Sequence, residues 1–315
     1  MRMLRQLLGL TTGFISFVYL VLVLNPIQMM SLPLLAISRS AVRAINRWCA
    51  RSIWGLWVLM AERQNGIRVR VTGDAVPPRE NALLLPNHQS MVDVMALLCL
   101  AWRCGRLGDL KFFVKDVVKW FPGFGWGMWL LDCIFVKRDW DRDRAGVRRL
   151  FDRYKRQNIP VFLVTFLEGT RRTPAKQERA RVFARERGLP EPTSTLVPRT
   201  KGFVATMIGM RSHLDAVYDI DIGYPGRLPT LMDAFRARIE SVELHVRRTP
   251  IADLPTGEEE LTRWAHECFR AKDERMARFA SDRRFAGETW PDRVRLLDWF
   301  VSEAMSGVRT ERRGV

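Results

Sequence analysis

The chain has 315 residues, of which 47% are hydrophobic and 27% are charged. This composition supports a sizeable folded core and excludes a globally disordered protein. Lysine and arginine number 51 against 34 acidic residues, so the formal net charge is +17. Such an excess favours an anionic partner, which could be nucleic acid, anionic lipid headgroups or a phosphorylated substrate.

The five cysteines and four histidines point away from disulfide and metal chemistry. The cysteine number is odd, no CxxC pair occurs, and most of the cysteines lie among apolar residues. We interpret them as reduced packing residues of a cytosolic compartment. The histidines are scattered along the sequence, so no metal site is expected.

An uncharged segment, Leu7 to Ser38, lies near the N-terminus with arginines on both sides. One bilayer crossing needs about 20 apolar residues, so the segment is long for one span and short for two. Asn25-Pro26 lies inside it, and proline disfavours helix in the preceding residue. Two arrangements fit: one span with an apolar extension, or a hairpin dipping into one leaflet. The flanking arginines favour the hairpin, with both ends on the cytoplasmic side. A cleaved signal peptide fits less well, because no clear cleavage site follows.

Ala41 to Ala61 is predicted to form an amphipathic helix. Arginines recur at every fourth position on one face, and tryptophans stand among its apolar residues. Basic faces with interleaved tryptophan suit a membrane interface. A helix that packs on a folded domain fits the pattern equally well.

From Ile67 onward, short apolar runs alternate with helical patterns, which predicts an α/β fold. Thr256 to Glu259 fits a capping box that starts an amphipathic helix, and another helix is expected near Pro291. The expected strands are 67–72, 82–85, 110–114, 133–136, 160–166, 216–222 and 242–246. The expected helices between them are 90–104, 141–157 and 202–210, and 117–131 is expected to be helical or irregular.

The stretch Leu83 to Asp93 carries the most informative pattern. An apolar strand ends at Pro86, His88 follows it, and Asp93 stands where the next helix begins. The carboxylate could accept a hydrogen bond from one ring nitrogen and leave the other free to take a proton, as a general base requires. The same residues also fit an ordinary helix start, with Ser90 as N-cap and Asp93 in the first turn.

A second polar group follows the strand that ends at Phe166. Gly169 after a strand indicates a tight turn or a close backbone approach. Glu168 and Arg171 beside it suit a polar ligand site, because ligands of α/β sheets gather at the carboxyl ends of strands. A solvated ion pair on a surface turn is the alternative. Arg138 leaves a neighbouring strand in the same manner.

The segment Arg171 to Lys201 is rich in basic residues and is expected to be a long loop with a helical middle. Such a run is usually a solvated charged face, but it could also cover an anionic group. Near its end, Arg199 and Lys201 precede the start of a helix. A helix start with two cations would suit a phosphate.

Four motifs therefore occur in a fixed order: NHQSMVD (Asn87 to Asp93), IFVKR (Ile134 to Arg138), FLEGTR (Phe166 to Arg171) and VPR (Val197 to Arg199). Together they resemble the glycerophospholipid acyltransferase family, which includes the 1-acylglycerol-3-phosphate acyltransferases. The resemblance covers roughly residues 67–246. Segments 217–225 and 264–279 also resemble the branch that contains lysophosphatidate and lysocardiolipin acyltransferases.

The resemblance implies an α/β fold with a mixed central sheet flanked by helices, as in glycerol-3-phosphate acyltransferases, and an N-terminal membrane-embedded helical segment. Residues 1–62 would form that segment and the amphipathic helix, 63–255 the acyltransferase catalytic domain, and 256–315 the C-terminal helices. The protein would be attached to a membrane, the inner or cytoplasmic membrane in a bacterium. Its catalytic domain would lie on the cytoplasmic side.

By the same resemblance, His88 would be the general base and Asp93 its orienting carboxylate. The base would deprotonate the free hydroxyl of a lysophospholipid, foremost 1-acylglycerol-3-phosphate, which then attacks the thioester of acyl-CoA or acyl-carrier protein. No metal, cofactor or covalent acyl-enzyme is implied. The residues implied to bind substrate are Arg138, Glu168, Gly169, Thr170 and Arg171 on the acceptor side, and Pro198 and Arg199 on the donor side.

Asp132 departs from the family pattern, in which a glycine stands at that position, so we expect an altered acceptor pocket. The alternatives are a lysocardiolipin or lysophosphatidylglycerol remodelling enzyme, a non-catalytic lipid-binding adaptor, and a nucleic-acid-binding protein suggested by charge alone. The uncharged N-terminal segment argues against the last, so membrane lipids are expected as partners and nucleic acid is not.

Overall fold

The computed structural model describes residues 2–77, 79–137 and 139–291. Its centre is a seven-stranded sheet in the order β1-β7-β6-β2-β5-β3-β4. The β6–β7 pair is antiparallel, and the other neighbouring pairs are parallel. The predicted mixed sheet is confirmed. The strands are β1 (Arg68–Gly73), β2 (Ala82–Pro86), β3 (Leu110–Lys115), β4 (Ile134–Val136), β5 (Phe162–Val164), β6 (Ala216–Gly223) and β7 (Ser241–Pro250).

Helices cover both faces of this sheet. The alternation of side chains along β2 shows the two layers: Ala82 and Leu84 belong to one core cluster, whereas Leu83 and Leu85 belong to the other. A strand buried on both faces must be continuously apolar, which explains the sequence of β2. The α-helices are α1 (Arg2–Tyr19), α2 (Asn25–Met30), α3 (Arg39–Leu59), α4 (Val92–Arg103), α5 (Phe124–Leu130), α6 (Trp140–Arg156), α7 (Pro174–Glu186), α8 (Thr200–Met210), α9 (Leu231–Phe235) and α10 (Glu258–Asp282).

The N-terminal segment does not break at Asn25-Pro26. Helix α1 continues through a π-helical turn, Leu20–Leu24, directly into α2. Proline is tolerated there because it occupies the first turn of α2, and the π turn absorbs the local change in hydrogen bonding. Among the described residues, one helical stretch, Gln6–Ala36, is long and apolar enough to cross a membrane. A hairpin with its break at Pro26 is therefore not formed.

Helix α3 packs on the α/β domain along both of its sides. On the basic side, the Arg43 guanidinium donates a 2.6 Å hydrogen bond to Gln157 Oε1, and Arg47 forms a 2.7 Å ion pair with Asp109. On the apolar side, residues such as Val58 are fully buried. The structure therefore favours the packed helix over a helix that lies on the membrane surface.

Helix α10 begins at Glu258 with Gly257 at its N-cap and without a side-chain cap. The predicted capping box at Thr256 is wrong, because the helix starts one residue later than that pattern requires. The short helix α9 was not foreseen. The helix expected near Pro291 and the residue Arg138 lie outside the described residues. The division into 1–62, 63–255 and 256–315 stays a prediction.

Candidate active site

Two of the sequence motifs meet at the carboxyl ends of β2 and β5, which are adjacent parallel strands. His88 follows the end of β2 by two residues, and Glu168 lies in the turn after β5. Because parallel strands end at the same edge of a sheet, their loops form a crevice there. The sequence expectation of a site at this edge agrees with this arrangement.

His88 and Asp93 form a close pair. The Nδ1 atom of His88 lies 2.9 Å from Asp93 Oδ2, and the Asp93 side chain is fully buried. The same oxygen accepts hydrogen bonds from the backbone N–H groups of Gln89 and Ser90, at 2.7 and 2.9 Å. The imidazole stacks on Phe166 with a centroid distance of 4.0 Å. Nδ1 is thus oriented toward the carboxylate, and Nε2 remains for a substrate proton.

The alternative interpretation of these residues as a helix start holds in part, because Asp93 lies in the first turn of α4 and accepts a 2.9 Å hydrogen bond from the backbone N–H of Ser90. The N-cap of α4 is Met91, and no side chain caps it. The Ser90 hydroxyl accepts a 3.1 Å hydrogen bond from the backbone N–H of Val92 and donates one of 2.6 Å to the carbonyl of Pro229. Asp93 turns back toward the loop that carries His88, so its carboxylate serves the histidine.

Tyr224 is a member of the site that the sequence interpretation missed. It follows β6, and its hydroxyl donates a 2.6 Å hydrogen bond to Asp93 Oδ1. Burial, and then the neighbouring Asp93 carboxylate, raises the pKa of Tyr224 well above its ordinary value, so the phenol stays protonated. Its position at the end of a buried strand was the available sequence signal.

Glu168 holds two loops together. Its Oε1 accepts a 2.9 Å hydrogen bond from the backbone N–H of His88, and its Oε2 accepts one of 3.3 Å from the N–H of Leu196. Burial raises the pKa of Glu168 to about 8, although the His88 N–H and the charge of Lys272 lower it. Both oxygens have partners within the protein, so Glu168 positions the catalytic loop.

The turn after β5 packs closely on Arg199. Gly169 has a φ of +66°, and a Cβ atom there would lie 3.0 Å from Arg199 Cδ. This position therefore needs glycine for its backbone conformation and for the close approach. The Thr170 hydroxyl accepts a 2.6 Å hydrogen bond from Lys176 Nζ, a contact that the sequence did not indicate. Arg171, on the same turn, is exposed.

A single cavity of about 1880 Å³ connects these residues. Typical small-molecule pockets measure roughly 300–1,000 Å³, so this one has room for two substrates. His88 and five further predicted residues line it: Glu168, Gly169, Thr170, Pro198 and Arg199. The lining also includes an apolar group (Trp54, Trp57, Met60, Met95, Leu98 and Phe112) and a cationic group (Lys176, Arg179, Arg187 and Lys201).

Comparison with known proteins assigns the chain to a family. The acyltransferase family model matches residues 68–224, and the model of the acyltransferase C-terminus matches residues 236–301. The chain is 34% identical over 272 residues to lysocardiolipin acyltransferase 1 of Danio rerio, which covers 84% of this chain and 70% of that protein. The chain belongs to the acyltransferase family. The family and the acyltransferase class predicted from the motifs are confirmed.

Other relatives of this acyltransferase are named for 1-acyl-sn-glycerol-3-phosphate and not for lysocardiolipin. It is 36% identical over 248 residues to probable 1-acyl-sn-glycerol-3-phosphate acyltransferase 5 of Arabidopsis thaliana, which covers 77% of this chain and 66% of that protein. The chain thus spans about two thirds of the length of such relatives, 66% and 70% in two cases.

A solved structure shows the same fold. The 1-acyl-sn-glycerophosphate (LPA) acyltransferase PlsC from Thermotoga maritima superposes with a TM-score of 0.52 at 20% identity, covering 87% of this chain and 97% of that one. The predicted fold class is confirmed.

In this acyltransferase, Asp132 has a φ of +63°, in the left-handed region that favours glycine. Its carboxylate forms an ion pair with Arg153 of α6, and its carbonyl accepts a hydrogen bond from the Tyr154 hydroxyl. The side chain therefore points to α6 and is not among the residues that line the cavity. The expected change of the acceptor pocket does not arise through direct contact with Asp132.

Proposed function

We propose that this protein transfers a fatty acyl group from a thioester donor to the free hydroxyl of a lysophospholipid, with His88 as the general base. The observation that carries the proposal is the 2.9 Å contact between His88 Nδ1 and a fully buried Asp93 carboxylate, on the wall of a cavity large enough for two substrates. A histidine held in this way presents one free nitrogen to a hydroxyl proton.

The reaction follows from this geometry. His88 Nε2 takes the proton of the acceptor hydroxyl, and the oxygen attacks the thioester carbonyl. The tetrahedral intermediate collapses by breaking the carbon–sulfur bond, and the leaving thiolate takes the proton from His88. Asp93 stabilises the transient imidazolium and fixes the orientation of the ring. The step balances without a cofactor, a metal or a covalent acyl-enzyme.

The acceptor we propose first is 1-acylglycerol-3-phosphate, which would become phosphatidate. Arg199, which the motif pattern assigns to the donor side, packs against Gly169 and lines the cavity with Thr170 and Lys176, so we assign it to the acceptor instead. Cationic side chains bind phosphate through charge-assisted hydrogen bonds, and several relatives are named as 1-acyl-sn-glycerol-3-phosphate acyltransferases. We also assign Arg171 to the binding of the acceptor phosphate, because of its place in the FLEGTR motif.

The second candidate acceptor is lysocardiolipin. The observation that favours it is the 34% identity to lysocardiolipin acyltransferases over 84% of this chain. The chemistry at His88 is the same for both acceptors.

We further propose that the protein is attached to a membrane, with its catalytic domain on the cytoplasmic side. The apolar stretch Gln6–Ala36 supports the attachment. Helix α5 contacts α2, and the segment around α5 exposes large aromatic side chains, with Trp120 at 74% and Trp129 at 60% exposure. Tryptophan is enriched at the membrane–water interface. Lipid acceptors would reach the cavity from this side, because Phe121 and Phe124 also line it.

Acyl transfer to a panel of lysolipids tests the proposed acceptor. Full-length protein in mixed micelles is supplied with labelled acyl-CoA and, separately, with acyl-carrier protein. We expect the highest kcat/KM for 1-acylglycerol-3-phosphate and a lower value for Arg199→Ala. A preference for lysocardiolipin would select the second candidate. Transfer to no acceptor with either donor would contradict the proposed activity.

A further inference from the structure

One face of α7 forms a wall of the cavity. The residues Lys176, Arg179 and Phe183 line it, and so does Arg187 just beyond the helix. Residues three and four positions apart lie on the same side of a helix. At a rise of 1.5 Å per residue, the stripe from Lys176 to Arg187 extends about 16 Å.

The stripe starts at the catalytic site. Lys176 Nζ donates hydrogen bonds to the Thr170 hydroxyl at 2.6 Å and to the Arg171 carbonyl at 3.2 Å. From that turn, α7 leads away toward Arg187. A long donor that has its thioester beside His88 and its acyl chain among the apolar lining residues would have its other end along this helix.

The arginines of α7 differ in their ionic partners. Arg185, on the face away from the cavity, donates to both oxygens of Glu191 at 2.9 and 3.0 Å. Arg181 lies 3.8 Å from Glu178. In contrast, neither Arg179 nor Arg187 forms an ion pair with any side chain that the structure describes. The cations on the cavity wall are the ones left without a carboxylate, as an anion site requires.

Two acidic residues, Asp139 and Asp143, also line the cavity. Asp139 forms a 3.0 Å ion pair with Arg142, and Asp143 accepts a 2.9 Å hydrogen bond from the backbone N–H of Lys137. Their charges are thus partly compensated near α6. Asp139 and Asp143 therefore do not neutralise the positive charge of the α7 face.

Phe183 adds an aromatic surface between the two arginines. Its side chain is 40% exposed although it stands on a highly charged helix. The Arg187 guanidinium lies 4.8 Å from the centre of its ring. Partly exposed aromatic rings flanked by arginine provide stacking platforms for nucleobases.

We propose that Arg179, Phe183 and Arg187 bind the 3′-phosphoadenosine diphosphate part of coenzyme A. The arginines contact its phosphates, and Phe183 stacks on its adenine. This inference rests on the proposed function and names acyl-CoA as the donor. Acyl-carrier protein carries the same pantetheine arm without an adenine nucleotide, so it would leave this subsite empty.

Donor truncation tests the subsite in the full-length protein. The donors are acyl-CoA, acyl-3′-dephospho-CoA and acyl-pantetheine, and the variants are R179A/R187A and F183A. We expect the double variant to raise KM for acyl-CoA at least tenfold, with kcat within about twofold. KM for acyl-pantetheine should stay unchanged, because that donor lacks the nucleotide. The matched control is Arg185→Ala, which removes a cation from the opposite face and should leave both KM values unchanged.

Equilibrium dialysis with labelled free coenzyme A separates this inference from the proposed function. We expect binding by the wild type and at least tenfold weaker binding by R179A/R187A, whether or not the protein transfers acyl groups. Equal binding by both proteins, or no binding by the wild type, would overturn the inference. An equal rise in KM for acyl-CoA and for acyl-pantetheine in the double variant would also overturn it. A preference for acyl-carrier protein that depends on Arg179 and Arg187 would assign this face to a protein donor instead.

Discussion

Tyr224 donates a 2.6 Å hydrogen bond to Asp93 Oδ1, while the other carboxylate oxygen of Asp93 faces His88. The two residues join the end of β6 to the start of α4. With both oxygens engaged, the carboxylate cannot rotate away from the imidazole. The site is therefore a chain of three side chains, in which the tyrosine positions the carboxylate and the carboxylate positions the base.

Replacing Tyr224 by phenylalanine should lower kcat about tenfold, because a hydrogen bond to a charged group contributes roughly 1.5–3 kcal/mol. KM for both substrates should stay unchanged, since Tyr224 is not among the residues that line the cavity. Steady-state kinetics of full-length protein in micelles measures both quantities. A rise in KM with kcat unchanged would contradict the positioning role.

Tyr218→Phe is the matched control for this variant. Tyr218 is buried like Tyr224 but lies within β6, and its hydroxyl donates to the carboxylate of Glu80, away from the catalytic site. Loss of the Tyr218 hydroxyl should lower the melting temperature and leave kcat unchanged. If both variants lower kcat equally, the effect of Tyr224 comes from general destabilisation.

The second prediction concerns Lys272 of α10, which is fully buried. Its ammonium group lies 2.6 Å from Asp219 and 3.0 Å from Asp221, two carboxylates of β6. Lys272→Met would leave buried carboxylates with one cationic partner fewer, so we expect a loss of about 3–5 kcal/mol in the free energy of unfolding. Chemical unfolding in detergent measures it. Arg270→Ala, which removes exposed pairs on the same helix, should change stability by less than about 1 kcal/mol.

The pH dependence of stability tests the role of Glu168. Burial raises its pKa in the folded protein to about 8 from an ordinary 4.5. Between these values the folded state holds a proton that the unfolded state has lost, so the contribution of Glu168 to stability falls as pH rises through this window. The stability advantage of the wild type over Glu168→Gln should thus shrink between pH 5 and 8.5, by on the order of a few kcal/mol.

The control for this titration is Glu80→Gln. Burial raises the pKa of Glu80, but the hydrogen bonds from Arg248 and Tyr218 outweigh burial and hold the pKa below its ordinary value. Glu80 is therefore ionised in both the folded and the unfolded protein above pH 5. The free energy of unfolding of Glu80→Gln should differ from that of the wild type by an amount that does not change with pH. If the free energy of unfolding of Glu168→Gln also runs parallel to that of the wild type across this pH range, the raised pKa of Glu168 is contradicted.

Asp132 offers a test of backbone strain. Its left-handed conformation favours glycine, and its carboxylate gains an ion pair with Arg153. Asp132→Gly loses that pair but relieves the strain, so its stability should stay within about 1 kcal/mol of the wild type. Asp132→Ala loses the pair without relief and should be about 1–2 kcal/mol less stable than the glycine variant. Equal stability of the two variants would contradict this account, and neither variant should change acceptor preference.

Local patterns were sufficient to predict much of the sheet and the His88–Asp93 pair. The continuous apolar run of β2 indicates a strand buried on both faces, and the pair is only five positions apart, across the loop after β2 and the first turn of α4. The acyltransferase family followed from the order of four motifs, each of which is short and local.

Contacts between distant segments were not predictable in the same way. Tyr224 and Asp93 are 131 positions apart, and they meet because β6 is the neighbour of β2 in the sheet. The burial of Lys272 depends likewise on two aspartates of another element. From the helical pattern of α10 alone, Lys272 would be predicted to be an ordinary charged surface residue. Thr256 failed as a cap because one residue of displacement is enough to separate a side chain from the first free N–H groups.

The most direct test of the central claim is the rate of acyl transfer by His88→Ala and Asp93→Asn compared with the wild type, with melting temperatures to confirm folding. A positioned general base contributes about 10²–10⁴-fold to the rate. We therefore expect His88→Ala to lose at least 10²-fold in kcat, and Asp93→Asn to lose a substantial part of that. A folded His88→Ala protein that transfers acyl groups at close to the wild-type rate would contradict the account.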